Sequence, residues 1–292
     1  MLYKAKKVPM KSSYETNLTI QLEHLRLPPF PQAAMRVLRL VNDANVPLGH
    51  LSSVISADAA FCSEVLAIAN SCLFAPRFPV TNIMHAIAVL GATRLNAICL
   101  TVGVRTYMGK LLNQAAMHAI WRHNLATALI AEQIATSSHL DSAVAYTSGI
   151  LHDIGRLALV IIRPKEYCDL VQSHIGSASS LMICERELFG YDHCQIGGQL
   201  AKDWKLPDQF FPVAEKHHQP VDPNDLSSMT ALIKMSCMIA DSLGFPAFEG
   251  CAVVPFTEAI NQLPKVAKDR FPPDPEWMSF NITTKINAAE AV

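Results

Sequence analysis

The sequence predicts an all-α protein, and three observations support this fold class. Apolar residues recur at helical spacing along most of the chain, residues that typically begin or end helices separate these stretches, and alternating strand patterns are nearly absent. The 292 residues, half of them hydrophobic, suffice for one or two domains with a substantial core. Disorder is therefore excluded as the general state.

The N-terminal part, residues 18–115, is predicted to be a bundle of short helices behind a basic tail, residues 1–17. A short amphipathic turn or helix at Leu18–Leu25 comes first. Pro31 suits the first position of the next helix, because its missing N–H needs no partner there. The helices that follow, with Asp58 as a candidate N-cap and Gly91 as a candidate C-cap, are expected at Leu48–Ile55, Asp58–Asn70, Asn82–Leu90 and Arg94–Tyr107. Helices this short must pack together to be stable in water.

Longer helices are predicted in residues 116–244, beyond a candidate boundary near Gly109–Gln114. Asp141 or Ser142 is expected to cap a helix that runs to Ile154, and Gly155 is placed to end it. The apolar run Leu157–Ile162 is a buried helical turn or, alternatively, a strand, and its periodicity does not decide. The other predicted helices are at Ala116–Ala135, Lys165–His174, Ala178–Leu188, from Asp192, from Pro207 to His218, and from Ser227 or Ser228 to Leu243. Residues 245–292, rich in proline, are expected to form a helical and loop appendage.

Charge and hydropathy exclude several classes of function. The 24 Lys and Arg residues nearly balance 25 Asp and Glu, which argues against broad electrostatic capture of nucleic acid or anionic lipid. The most apolar long stretch, Ile83–Val104, is interrupted by polar residues, so no membrane span is expected. No apolar run follows the N-terminal lysines to make a secretory signal, so a cytoplasmic protein is expected. The eight cysteines include no C-x-x-C pair and are interpreted as reduced core residues, neither disulfides nor a thiolate metal site.

The candidate chemistry lies in the histidines and nearby carboxylates. His152 and Asp153 are adjacent at a predicted helix end, while His123 and Asp241 lie on the apolar sides of two other helices. Each residue taken alone is more often an ordinary core residue than a ligand. Together, however, they would form a nitrogen and oxygen site suited to Fe, Mn or Zn. His193, His217 and His218 could extend it to a second metal or support the first, and no organic cofactor is expected.

The order of these residues is similar to the H…HD…D pattern of the HD-domain metal-dependent phosphohydrolases. More specifically, residues from about Leu18 to Leu243 resemble the HDOD family, the HD-related output domain of bacterial signalling proteins. The matching stretches, in order, are LPPFP, LVNDANVPLGHLSSVISADAAF, IANSCLF, AIAVLGATRL, WRHNLATALIA, GILHDIGRLAL, GYDHCQIGGQLAKDWKLPD and HHQP.

The resemblance implies a bilobal fold in which an N-terminal helical bundle packs on an HD-like helical half. It also implies a regulatory role, because HDOD domains are usually interpreted as modules that recruit or sense something. The chain departs from the cyclic-dinucleotide phosphodiesterases of the HD-GYP branch: no acidic residue follows His218 directly, and no Gly-Tyr-Pro is present.

Two function classes remain at this point. One is a non-catalytic signalling module that binds a partner protein or small molecule. The other is a metal-dependent phosphohydrolase that acts on a phosphoester or nucleotide. In that case Asp153 would bridge metals or orient the nucleophile, and Arg156 would hold a phosphate. Arg156 could equally be a solvated side chain beyond a helix end. Neither nucleic acid nor a membrane is an expected partner.

Overall fold

The structure, a computed structural model, describes residues 29–41, 46–221, 225 and 228–291. The basic tail and the turn or helix at Leu18–Leu25 lie outside the described residues. Throughout the described part α-helices predominate, which confirms the predicted fold class. The exception there is one pair of two-residue strands, β1 (Ile175–Gly176) and β2 (Gly250–Cys251), which run parallel.

The N-terminal part forms a helical bundle around one buried helix. Its helices are α1 (Gln32–Val41), α2 (Leu48–Ser56), α3 (Ala59–Asn70), α4 (Ile83–Leu90) and α5 (Ala92–Met108). The helix α1 begins one residue after Pro31. Asp58 caps α3 as predicted, since its carboxylate accepts a 3.0 Å hydrogen bond from the Phe61 N–H. The long, mostly buried α5 packs against α1, α3 and α4, so it forms the core of the bundle.

The second part is built on a 23-residue helix, α6 (Ala115–Ser137). A 3₁₀ helix at Gly109–Asn113 leads into it. The helices that follow are α7 (Ser142–Leu151), α8 (Ile154–Ile162), α9 (Pro164–Ser173), α10 (Ala178–Phe189), α11 (His193–Asp203), α12 (Phe211–Lys216) and α13 (Met229–Ser242). Asp141 and Ser228 cap α7 and α13, and Asp192 forms a capping box with Gln195 at the start of α11.

The two parts meet through apolar and aromatic contacts. Helix α5 packs against α7. The ring of Phe30, just before α1, lies 4.6 Å from that of Trp204 at the end of α11 and 5.7 Å from that of Tyr107 on α5. Because Phe30 is 4% exposed, this aromatic cluster belongs to the core and joins the bundle to the second half.

The C-terminal segment packs back onto α6. It contains α14 (Phe256–Asn261), α15 (Lys265–Lys268) and α16 (Pro275–Glu290). Near the end of α16, Asn287 and Glu290 accept hydrogen bonds from the guanidinium of Arg122 on α6, at 3.0 and 2.7 Å. The strand β2 also ties the segment to β1, where the Ala252 N–H donates to the Gly176 carbonyl at 2.8 Å.

The prediction for Gly155 is wrong. The helix that begins at Ser142 ends at Leu151, and a new helix begins at Ile154, so Gly155 lies inside α8. The physical reason is a close helix crossing: a Cβ at Gly155 would lie 1.8 Å from the carbonyl oxygen of His193. The run Leu157–Ile162 is therefore part of a helix, and the break between α7 and α8 holds His152 and Asp153.

One continuous stretch of the described chain, Ser142–Ile162, is long and apolar enough to cross a membrane. It comprises α7 and α8, and 89% of its apolar 18-residue window is buried inside the protein. A bent pair, α2 with α3, passes the same test only if the two helices are taken as one span. Core helices of a folded domain have the same composition, so the apolar character of α7 and α8 is accounted for by their burial.

Candidate metal centre

Seven residues singled out from the sequence lie where several helix ends of the second half meet the middle of α6. His123 is on α6, and His152 and Asp153 occupy the break between α7 and α8. His193 begins α11, and Asp241 is on α13. The pair His217 and His218 follows α12. Several helix ends and the middle of α6 thus bring together groups that are up to 118 residues apart in the chain, from His123 to Asp241.

The carboxylate of Asp153 is at the centre of the cluster and is only 1% exposed. Its Oδ1 lies 3.4 Å from Nε2 of His193 and 3.3 Å from Nε2 of His217. Its Oδ2 lies 3.7 Å from Nε2 of His152 and 2.6 Å from Nε of Arg156. One carboxylate therefore faces three imidazoles and one guanidinium.

The histidines are oriented by hydrogen bonds on their other ring nitrogen. Nδ1 of His152 donates to the Gly149 carbonyl at 2.7 Å, and Nδ1 of His217 donates to the Val213 carbonyl at 3.0 Å. Nδ1 of His193 donates to Oε2 of Glu185 at 2.6 Å. When such an imidazole is neutral and carries one proton, as a metal ligand must be, these bonds leave its Nε2 as the atom free to bind an ion beside Asp153. This is the orientation that metal-binding histidines commonly have.

His123 and Asp241 form a second edge of the cluster. Nδ1 of His123 donates to the Phe245 carbonyl at 2.8 Å and lies 3.3 Å from Oδ1 of Asp241. The rings of His123 and His152 are 5.3 Å apart. Asp241 is the more open member, with 20% of its side chain exposed. The structure thus brings His123 close to both His152 and Asp241, while their sharing of one ion stays a prediction.

Arg156 lies behind Asp153 and is 1% exposed, so the alternative of a solvated side chain is wrong. Its Nη1 lies 3.1 Å from the Tyr167 hydroxyl and 3.5 Å from Oε1 of Glu185. The Tyr167 hydroxyl in turn donates to Oε1 of Glu185 at 3.0 Å. This buried network joins Asp153 to His193 through Arg156 and Glu185.

Two thiols border the cluster, and the sequence reasoning had assigned cysteines to the core alone. Sγ of Cys194 lies 3.9 Å from Nδ1 and 4.0 Å from Nε2 of His217. Donor atoms of Cys237, His123 and His152 all lie within 4.8 Å of one another. The available signals were local: Cys194 adjoins His193, and Cys237 lies one turn before Asp241.

Glu185 was also missed. It is 0% exposed, and its Oε2 accepts hydrogen bonds from the backbone N–H of His193 at 2.9 Å and from Nδ1 of the His193 ring at 2.6 Å. The signal was its spacing of four residues from Leu181, which places it on the buried face of α10.

The electrostatics of the cluster follow from its burial and its mixed charges. Burial acts to raise the pKa of the Asp153 carboxyl, but Arg156 and His152 outweigh it and hold this pKa well below its usual range. Burial and Arg156 act to lower the pKa of His193, but Glu185 and Cys194 raise it to about 10. Burial acts to raise the pKa of the Cys194 thiol, yet His217 and His193 lower it to about 6. Proximity of opposite charges decides all three directions.

The donor set fits a divalent metal. Nε2 of His152, Oδ1 of Asp153 and Nε2 of His193 are buried and lack a hydrogen-bond partner. Buried polar atoms are normally paired, because an unpaired one loses its hydration without compensation. Donor atoms of His152, Asp153 and His217 lie within 4.8 Å of one another, which suits coordination of one ion by imidazole and carboxylate.

Comparison with known proteins identifies the same family that the motifs resemble. The sequence model of the HDOD domain matches residues 27–220. An uncharacterised protein of Treponema pallidum (strain Nichols) is 22% identical over 223 residues. The match covers 74% of this chain, which spans 43% of the length of that relative.

Solved structures share the fold. An HDOD domain protein of unknown function from Geobacter sulfurreducens superposes with a TM-score of 0.66 at 23% identity, covering 95% of this chain and 97% of that one. A "putative phosphohydrolase" from Shewanella amazonensis SB2B has a TM-score of 0.67 at 22% identity, with coverage of 92% and 96%. A "putative signal transduction protein" from Marinobacter aquaeolei VT8 has a TM-score of 0.69 at 18% identity, with coverage of 92% and 60%. At these sequence identities, the superpositions show that the proteins share a common fold.

Proposed function

Because the chain belongs to the HDOD family, we propose that it is a non-catalytic regulatory module whose HD-type residues bind a divalent metal. The ion would be held by His123, His152, Asp153 and Asp241. The module would act by binding a signalling protein or a small-molecule ligand in the cytoplasm. One observation carries the metal part of this proposal: buried donor atoms converge on Asp153 without hydrogen-bond partners of their own.

Burial supports a regulatory role over catalysis. The side chain of His152 is 0% exposed and that of Asp153 is 1% exposed. A hydrolase needs an open coordination position and room for the phosphoester beside it. Arg156, the one group proposed to hold a phosphate, is engaged with Asp153 and with the pair Tyr167 and Glu185. We therefore assign Arg156 to positioning Asp153.

The chain's own residues would define the metal site. Gly149 and Glu185 fix the rings of His152 and His193, so that Nε2 of each faces inward. Arg156 keeps Asp153 ionised. A bound metal ion can lower the pKa of a coordinated water and polarise a phosphoryl oxygen. In a module of this kind the ion would instead fix the relative positions of α6, α8 and α13.

A phosphohydrolase is the second candidate, and Asp241 favours it. Its side chain is 20% exposed, so the cluster has one edge toward solvent, while its Oδ1 is buried and lacks a hydrogen-bond partner. A substrate phosphoryl group could approach the metal from that edge. The residues after His218 disfavour a cyclic dinucleotide as that substrate, because the acidic residue and the Gly-Tyr-Pro segment of the HD-GYP branch are missing.

Elemental analysis and a phosphoester screen test the proposal together. Protein purified without added metal should contain a divalent ion, and Asp153→Asn should contain less. The control Asp169→Asn alters an exposed carboxylate on α9 and should retain the ion. Wild type loaded with Mn or Fe should turn over neither phosphomonoesters, phosphodiesters nor nucleotides. Turnover above about 1 per second that Asp153→Asn abolishes would establish the hydrolase instead.

A further inference from the structure

A second group of potential ligands lies next to the HD-type residues and includes a thiol. His193, Cys194, His217 and His218 each offer one donor atom, and these atoms all lie within 4.8 Å of one another. Cys194 is 2% exposed, and His193 and His217 are 0% exposed. The rings of His217 and His218 are 4.2 Å apart, and those of His193 and His218 are 5.1 Å apart.

The dimensions of this group approach those of a tetrahedral zinc site. Donors held at about 2.0–2.3 Å around a tetrahedral zinc ion are separated from each other by roughly 3.3–3.8 Å. Sγ of Cys194 lies 4.0 Å from Nε2 of His217, so this pair needs a shift of a few tenths of an ångström. All four donor atoms lie within 4.8 Å of one another, so the widest pairs would have to close by about 1–1.5 Å on binding. The ring of His217 is already fixed by the hydrogen bond from its Nδ1 to the Val213 carbonyl, so Nε2 is the ring nitrogen available to an ion.

Two buried nitrogen atoms of the group are available to bind a cation. Nε2 of His193 and Nε2 of His218 are buried and have no hydrogen-bond partner. If Cys194 were only a core residue in weak contact with His217, these nitrogens would remain without a partner. A surface cavity of about 730 Å³ is lined by Cys194 and His218, so solvent and its ions reach the edge of this group.

We infer that His193, Cys194, His217 and His218 bind Zn²⁺ in a closed site with three nitrogen ligands and one thiolate. This inference deepens the proposed function and rests on it, because both require the buried cluster to bind metal. A thiolate favours zinc over manganese or magnesium, and four protein ligands leave no position for a reactive water. Asp153, whose Oδ1 faces both His193 and His217, would couple this site to the HD-type ligands.

Cobalt substitution tests the inference without an assay of activity. Chelator-treated full-length protein is titrated with Co²⁺, and wild type should develop the intense visible spectrum of tetrahedral cobalt and a sulfur-to-cobalt charge-transfer band. Cys194→Ser should lose the charge-transfer band. It should also bind Zn²⁺ more weakly by at least the roughly 10–100-fold that follows loss of a ligand's supporting hydrogen bond. Retention of the band in Cys194→Ser would overturn the inference.

Cys184→Ser is the matched control, because Sγ of Cys184 also lies 3.9 Å from Nδ1 of a histidine, His174, but outside this group. It should keep the band. If Cys194→Ser does not fold, X-ray absorption of zinc-loaded wild type decides: one sulfur at about 2.3 Å and nitrogens at about 2.0–2.1 Å are expected. Nitrogen and oxygen ligands alone would overturn the thiolate site and leave the proposed metal-binding module intact. Phosphoester turnover would overturn the proposed module and leave the zinc assignment untouched, whereas no metal binding would overturn both.

Discussion

Gly155 lies against the backbone of His193, and a Cβ at this glycine would be 1.8 Å from the carbonyl oxygen and 2.8 Å from the carbonyl carbon of that residue. The crossing of α8 and α11 at this point is closer than any side chain allows. Since α8 begins directly after Asp153 and α11 begins at His193, the glycine sets the separation of these two groups.

Gly155→Ala should destabilise the protein by about 3 kcal/mol or more, because the added methyl group meets fixed backbone atoms rather than a movable side chain. The measurement is the free energy of unfolding from urea denaturation. Gly49→Ala is the control, since a Cβ there meets nothing within 4 Å on an exposed turn of α2. That variant should be stabilised by about 0.5–1 kcal/mol through helix propensity. Equal effects at the two glycines would contradict the close crossing.

Glu185→Gln should weaken the binding of Zn²⁺ at the inferred site by roughly 10–100-fold, because the carboxylate that orients the ring of its ligand His193 is lost. Competition with a chromophoric chelator measures the affinity. Glu187→Gln, an exposed position on the same helix, should bind as wild type does. An unchanged affinity in Glu185→Gln, with the fold intact by circular dichroism, would exclude His193 from the ligands.

Phe30→Ala should lower the free energy of unfolding by about 3 kcal/mol, because the ring is 4% exposed and packs between Tyr107 and Trp204. Far-ultraviolet circular dichroism and tryptophan fluorescence should report one coincident transition, since both parts of the chain share this cluster. Phe280→Ala removes a ring that is 74% exposed and should change stability by less than about 0.5 kcal/mol. Two separate transitions in wild type would show that the parts unfold independently.

Acid should destabilise the metal-free protein through its buried carboxylates. The folded-state pKa of Asp153 is lowered mainly by Arg156, and that of Glu185 mainly by His193, in both cases against the opposing effect of burial. A carboxylate with a lowered pKa stabilises the fold at pH values above its ordinary pKa of 3.8 (Asp) or 4.5 (Glu). This stabilisation is lost as the pH falls toward the pKa of the folded state. Urea denaturation below about pH 5 should therefore show falling stability.

The matched variant for this acid effect is Glu185→Gln, which lacks one of the two carboxylates. Its stability at neutral pH should be lower, and its decline below about pH 5 should be shallower than that of wild type. If wild type and variant lose stability in parallel, the ionisation of Glu185 has no part in the effect.

Local patterns in the sequence predicted most helix boundaries. The caps at Asp58, Asp141 and Asp192 depend only on residues two or three positions away, so their spacing was sufficient. Gly155 was misinterpreted because a glycine can end a helix or allow two helices to cross closely, and the sequence around it does not distinguish the two roles. The parallel pair at Ile175 and Gly250 could not be predicted, since two-residue strands carry no alternation and their partners are distant in the chain.

The candidate site was predictable to the extent that its residues lie on apolar faces. This reasoning singled out His123 and Asp241, and the structure places Nδ1 of His123 3.3 Å from Oδ1 of Asp241. It did not single out Glu185 or Cys194, because each contacts the histidines through the packing of α10, α11 and α12. Which groups support a ligand depends on long-range packing that a single sequence does not state.

The pairing of β1 with β2 implies an uneven tolerance to substitution along this part of the chain. Its contacts join main-chain atoms, and Ile175 is 87% exposed, so a saturation-mutagenesis library should accept nearly any side chain at that position. At Gly250 a Cβ would lie 2.0 Å from the His174 carbonyl oxygen, so the same library should reject every alternative. In such a library the pairing of β1 with β2 would then be recognised by one position that rejects substitution, Gly250, paired with a hydrophobic position that accepts it, Ile175.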